Sequence, residues 1–248
     1  MEIRGERECQ SCGTRWSYYR TGSVECPSCG SLRSVGVDER TRHTDSAAAL
    51  DLEEARRAAA ADRYRESARA GAEAARAYVA ARGFVHAGAL RDLDDAYLAA
   101  AELRAVGGRI ARGLSLDDAV ERYYLAVLDG ADEGDRPDPS SVPESVRDAR
   151  GLAVASGVGD YRRELRLWLD DALEDSERDH EVSSGARAAL DRLDDHVRRV
   201  EALDGDVAPA AAERLVAAVR ELATCVREAD ADALAAAEAH LDRLDAAT

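Results

Sequence analysis

Two hydrophobic periods divide this chain. From about Asp45 to the end, apolar residues recur three and four positions apart, the spacing of one face of a helix. The first predicted helix runs roughly from Ala47 to Arg82, with Tyr64, Ala68, Ala72, Ala75 and Val79 on one stripe and Gly83 at its end. The second spans about Ala89 to Ile110. The third opens at Ser115-Leu116-Asp117-Asp118, a variant of the capping box, and continues to Gly130. Residues 129–143 are acidic and rich in Gly and Pro, and read as a loop or internal break. A fourth helix near Val142–Ser156 and a fifth over Asp160–Leu173 are expected on either side of Gly157-Val158-Gly159, the fifth with Leu165, Trp168, Leu169, Ala172 and Leu173 inward. After a polar stretch from Glu174 to Gly185, three further helices are expected: Ala186–Leu203, one opening at Pro209, and one over about Asp232–Ala246.

The first forty residues lack that period. Thr14 to Arg20 is rich in strand formers, Thr21-Gly22-Ser23 supplies a turn, and Leu32–Val37 can form another strand. Gly36 to Ser46 is polar and non-periodic and reads as a linker. A segment this short has little apolar material with which to hold itself together, and its cysteines supply the alternative. Cys9 and Cys12 form one C-x-x-C pair, Cys26 and Cys29 a second, with thirteen residues between them. Each pair is followed by glycine, which lets backbone amides turn toward the sulfurs, and Pro27 stiffens the second turn. Two thiolate pairs at this spacing form a closed tetrahedral site; Zn2+ fits it best, and iron is the alternative. Four cysteines leave no open coordination position, so the site reads as structural rather than catalytic. The predicted fold is a small N-terminal zinc ribbon of three antiparallel strands over residues 1–40, then an acidic all-α domain over residues 47–248.

Composition narrows the setting. The chain has 248 residues and a formal charge of −16; all 34 basic residues are arginine, and there is no lysine or asparagine. Abundant Ala, Arg, Gly and Asp point to GC-rich coding, and an acidic surface is favoured where high salt screens self-repulsion. Together these point to a salt-adapted, haloarchaeal cytoplasm; an acidic protein of a GC-rich bacterium is the other reading. The acidity is uneven: residues 1–44 carry seven Arg against six acids, so the helical part holds the negative charge and is expected to repel a phosphate backbone. No stretch has the pattern of a signal peptide or a membrane span, and a cytoplasmic location is expected.

No other motif carries comparable chemistry. His43, His86, His180, His196 and His240 are scattered without ligand spacing. Cys225 lies on an apolar helical side and reads as a small hydrophobe. Acidic pairs such as Asp94-Asp95 read as solvated faces in a chain with 50 acids. On the strand between the knuckles, Arg15, Trp16, Tyr18, Tyr19 and Arg20 form the candidate partner-binding set. Alternation would place Trp16 and Tyr18 on one face and Tyr19 on the other, where they either stack on a partner or cover the metal site.

The segment ECQSCGTRWSYYRTGSVECPSCGS resembles the transcription factor IIB-type zinc ribbon, in the version that opens many small haloarchaeal proteins of unassigned function. The resemblance implies zinc on Cys9, Cys12, Cys26 and Cys29. In the general factor the ribbon docks on RNA polymerase, and two cyclin-like helical repeats bind the TATA-binding protein and DNA. The likeness ends near residue 35; no duplicated repeat follows, and the remainder is acidic. The expected function is a non-enzymatic adaptor, transcription-associated by resemblance, that meets a protein or nucleic acid through its ribbon and uses the helical domain for protein contacts. The alternative is an enzyme with its site among the helices and a purely structural ribbon.

Overall fold

The computed structural model describes residues 2–46, 48–174 and 180–246. The chain divides into two compact units, one taking the chain up to Ala49 together with Ala80–Arg91, the other Leu50–Val79 together with everything from Asp92 onward. A small antiparallel β region is thus followed by a helical one, as the two hydrophobic periods predict.

In the first unit, β2 (Glu6–Cys9) is the centre of a three-stranded antiparallel sheet between β3 (Arg15–Ser17) and β4 (Ser34–Gly36). The residues expected to form a linker take part in structure instead. β5 (Arg40–Arg42) pairs with β1 (Glu2–Arg4) in antiparallel register, Ile3 opposite Thr41. Strand β3 is also shorter than expected. At Tyr18 the chain enters a helical turn, α1 (Tyr18–Thr21), closed by Gly22 at φ 62°, so Tyr18 does not share a strand face with Trp16. A further hairpin, β6 (Val85–His86) and β7 (Ala89–Leu90), lies where the second helix was expected to begin. Its two turn residues, Ala87 and Gly88, have φ of 52° and 83°, the paired positive angles that a tight hairpin needs and a helix excludes.

The second unit is helical: α2 (Glu53–Ala59), α3 (Tyr64–Ala81), α4 (Asp95–Ala111), α5 (Asp118–Gly130), α6 (Arg147–Glu174), α7 (His180–Ala202), α8 (Pro209–Glu228) and α9 (Ala231–Asp245). The expected first helix is therefore two, separated at Asp62, whose φ is 57°. Neither Gly nor Pro marks that break in the sequence; aspartate tolerates the left-handed conformation better than most side chains do. The acid-rich composition serves the helix ends. Asp94, Asp117 and Asp230 each accept backbone N–H bonds as N-caps of α4, α5 and α9; Asp117 rather than Ser115 caps α5. Of the expected positions, Ala47, residues 175–179 of the polar break and the side chain of Leu173 lie outside the described residues.

Helix α6 corrects the largest expectation. Gly157-Val158-Gly159 does not break it; 28 residues run on without interruption. A Cβ on Gly157 would stand 3.0 Å from Leu98 Cδ2, and one on Gly159 would stand 3.5 Å from Val197 Cγ1. The glycines let α4 and α7 come close to the central helix, and that packing outweighs their poor propensity, about 1 kcal/mol each. Gly151 sits tighter still: a Cβ there would lie 2.1 Å from the backbone oxygen of Gly205. Gly151→Ala is therefore expected to destabilise this unit by about 1–2 kcal/mol, because the clash exceeds the propensity gain of roughly 0.5–1 kcal/mol. Denaturant unfolding of the two proteins measures the difference, and a more stable variant would contradict the close approach.

A charged cluster lies inside this largely Ala-, Leu- and Val-lined core. Glu102 on α4 and Arg150 on α6 are fully buried, with Arg150 Nη1 3.2 Å from Glu102 Oε1 and Arg150 Nη2 2.9 Å from Glu213 Oε1 on α8. Arg136 reaches both acids, 3.3 Å from Glu102 and 2.8 Å from Glu213. Tyr123 on α5 donates to Glu102, and Arg150 also donates to the Pro137 carbonyl at 2.9 Å.

Candidate metal centre and ribbon surface

The two knuckles are built alike. In the first, Cys9 N donates to Thr14 O at 2.9 Å and Gly13 N to Cys9 O at 2.9 Å; in the second, Cys26 N donates to Ser31 O at 3.0 Å and Gly30 N to Cys26 O at 2.9 Å. Gly13 and Gly30 have φ of 75° and 67°, which is why glycine follows each pair. The repeated turn points four sulfurs at one spot. Cys9 Sγ lies 3.7 Å from Cys29 Sγ, Cys12 Sγ lies 3.6 Å from Cys26 Sγ, and all four sit within 4.8 Å of one another. A tetrahedral ion with metal–sulfur bonds of about 2.3 Å sets its sulfurs about 3.8 Å apart, so the donor set fits a metal such as zinc.

The surroundings of Cys9 and Cys12 favour the thiolate. Cys9 accepts the Ser11 backbone N–H at 3.4 Å, which lowers its pKa. The Thr14 hydroxyl, 3.2 Å from Cys12 Sγ, leads the contacts that bring that thiol down to about 6. Cys29 accepts the Ser31 N–H, yet the Cys12 sulfur beside it and loss of solvent push it up to about 12. Four sulfurs this close do not all ionise without a cation between them. Cys225 stands apart on α8, buried, its thiol raised to about 11 chiefly by that burial.

The five residues singled out between the knuckles are dispersed. Trp16 is buried against Cys9 and Cys26, and its indole N–H donates to Ser23 O at 3.1 Å. Arg15 is exposed and pairs with Glu8 at 2.7 Å. Arg20 is exposed on α1. Tyr19 turns into the first unit, where its hydroxyl bonds Thr41 and its ring lies tilted 4.7 Å from His43 and 5.7 Å from His86. Tyr18 lines a cleft of about 380 Å³ together with Arg4, Arg7, Val24 and Arg40.

Sequence reasoning passed over two groupings. Arg4 and Arg40 share the Tyr18 cleft because β1 pairs with β5, a contact for which no hydrophobic alternation gives a signal, and Arg7 joins them from β2. His43, His86 and Tyr19 form a three-ring cluster, the two imidazoles edge to face 4.9 Å apart, beside buried Asp45. Arg82 lies 3.2 Å, Arg91 3.5 Å and His86 3.6 Å from that carboxylate. His43 Nδ1 accepts the Ala87 N–H at 3.2 Å; burial, then the neighbouring His86, lowers its pKa and keeps the accepting neutral form. These residues are far apart in sequence, and no fixed spacing announces them.

Among the described residues no helix is long and apolar enough to cross a membrane. Neither the curated proteins nor the solved structures include a match to this chain. A family model does match, over residues 1–241, and the chain belongs to that family, described as a family of unknown function (DUF7117).

Proposed function

We propose that this chain is a non-enzymatic adaptor whose zinc ribbon docks on a protein of the transcription machinery. The closed set of four sulfurs is the observation that carries the reading. Four thiolates complete the shell of a Zn2+ ion and leave no place for a reacting water, so the metal's contribution is to fold the ribbon. Zinc is the metal favoured here over iron, since no redox motif accompanies the cysteines in the sequence. The likeness of residues 8–31 to the transcription factor IIB-type ribbon names the class of partner, RNA polymerase. The Tyr18 cleft supplies a surface: an aromatic ring among three arginines is the kind of anchor that dominates protein interfaces. The acidic helical unit provides further protein contacts and no nucleic-acid grip.

Co-purification from the native high-salt cytoplasm tests this. RNA polymerase subunits are expected to accompany the wild-type chain. Tyr18→Ala combined with Arg40→Glu is expected to reduce their recovery at least tenfold with the metal still bound. Equal recovery by that variant removes the cleft from the reading, and the absence of polymerase subunits from the wild-type sample defeats the partner assignment.

One observation favours the enzymatic alternative. On α7, His196 Nε2 lies 3.1 Å from Asp245 Oδ1 at the edge of an apolar cleft of about 280 Å³ lined by Val200, Leu203 and Leu215. An oriented imidazole beside a pocket suits general-base work. Among the described residues no Ser, Thr or Cys lines that cleft, so an enzyme of this kind would need its nucleophile from water or substrate.

A further inference from the structure

The second unit holds a cationic cleft in a chain of net charge −16. Four arginines line it: Arg76 from α3, Arg104 and Arg109 from α4, and Arg112 just beyond the end of α4. Its volume is about 390 Å³, and the rest of its lining is small or apolar. Gly108 sits between Arg104 and Arg112 on one helical face, and a Cβ there would come within 3.2 Å of Arg112 Nη1. The glycine leaves room for that guanidinium.

Three of the four charges in this cleft have no carboxylate partner among the described residues. Asp148 pairs with Arg109, and Arg104 donates only to the neutral Ser156 hydroxyl at 3.3 Å. Arg76 and Arg112 make no ion pair among the described residues. With 50 acids available against 34 arginines, this is not for want of partners. Cations do complement the C-terminal end of a helix dipole, which accounts for Arg109 and Arg112. It does not account for Arg76, on another helix, or for Arg104, two turns back. Gathering like charges around one concavity costs repulsion that an anion would relieve.

We propose that this cleft binds the di- or triphosphate group of a small phosphorylated molecule. Guanidinium forks match phosphate oxygens bidentately, and three uncompensated guanidiniums suit a group carrying about three negative charges. The volume lies within the usual range of small-molecule sites, about 300–1,000 Å³. The lining offers a base no aromatic face and no amide edge, so recognition rests on the phosphates. Free pyrophosphate and a nucleoside triphosphate are two sources of the same chemistry.

Calorimetric titration of the full-length protein at matched ionic strength tests the site, with pyrophosphate, ATP, GTP and adenosine as probes. Pyrophosphate and the triphosphates are expected to bind and adenosine is not. Arg76→Glu with Arg112→Glu is expected to weaken binding at least tenfold, and Arg112→Gln alone severalfold, with the helical circular dichroism and melting temperature of wild type. Comparable affinity for pyrophosphate and both triphosphates supports recognition of the phosphate chain alone; more than tenfold preference for one triphosphate supports the site with a nucleotide as its source. No heat from any phosphorylated probe, binding by adenosine as tight as by ATP, or undiminished binding in the charge-reversed variant overturns the proposal.

Discussion

Stripping the metal from the four-cysteine cluster, or replacing Cys9 or Cys26 by serine, is expected to unfold the ribbon and leave the helices of the second unit intact. The knuckle core consists of Cys9, Trp16 and Cys26, so two of its three buried residues belong to the candidate metal centre itself. Metal binding to such sites is worth roughly 10–16 kcal/mol at neutral pH, against an entropy cost of about 1–2 kcal/mol for each ordered backbone residue. Nothing else in the ribbon approaches that sum: its surface pair Arg15–Glu8 contributes at most about 1 kcal/mol. Trp16 is the reporter. In a Trp168→Phe background its emission should shift to the red on chelation, as the indole leaves its contact with the sulfurs and its bond to Ser23. Amide protection over residues 6–36 should vanish, while far-ultraviolet circular dichroism, dominated by the helices, changes little. Purified protein should carry about one zinc per chain by elemental analysis. Unchanged Trp16 emission and retained amide protection in the stripped protein would mean that the segment folds without metal.

The sequence makes the cysteine cluster legible because its information is local. A C-x-x-C pair fixes two sulfurs within one turn, and the glycine after it fixes the turn, so Cys9, Cys12, Cys26 and Cys29 need no tertiary knowledge to be grouped. The helical stripe of the remaining chain is likewise local, and α8 begins at Pro209 as expected. Features that depend on what lies opposite were not legible. Gly157 and Gly159 read as breakers until Leu98 and Val197 are seen to occupy the space they leave. Arg40–Arg42 look like linker until Glu2–Arg4 pairs with them, and the hairpin at Val85–Leu90 replaces a helical start because Ala87 and Gly88 both take positive φ. The same holds for site residues. Tyr18 comes together with Arg4, Arg7 and Arg40, and Arg76 with Arg104 and Arg112, through pairing and packing to which hydrophobic periodicity is blind.

The Glu102–Arg150 cluster was hidden for a further reason: in a chain with 84 charged residues, no pattern separates the few that go inside. Its position carries a second large prediction. Arg150→Met is expected to destabilise the helical unit by roughly 3–5 kcal/mol, the cost of leaving a buried carboxylate without its partner. The side chain is fully buried and bonds residues of three other segments, Glu102, Pro137 and Glu213, as well as Tyr123, so its loss leaves several acceptors unmet at once. Arg136 keeps its contacts with both acids, which holds the loss toward the lower part of that range. The local field points the same way. Burial and then Glu102 raise the Tyr123 hydroxyl; against its own burial, Glu213 is held below the ordinary carboxylate range by Arg136 and Arg150. The charged state is thus the one the fold stabilises, and neutralising a partner should restore what removing one takes away. Arg150→Met with Glu102→Gln should recover at least 1 kcal/mol relative to the sum of the single changes, since the double variant no longer buries an unpaired charge. Equilibrium unfolding of the four proteins, read by helical circular dichroism, gives the coupling. A cost below about 1 kcal/mol for Arg150→Met, or additive single changes, would mean that water or rearrangement compensates the acids and that this cluster does not clamp α4, α6 and α8 together.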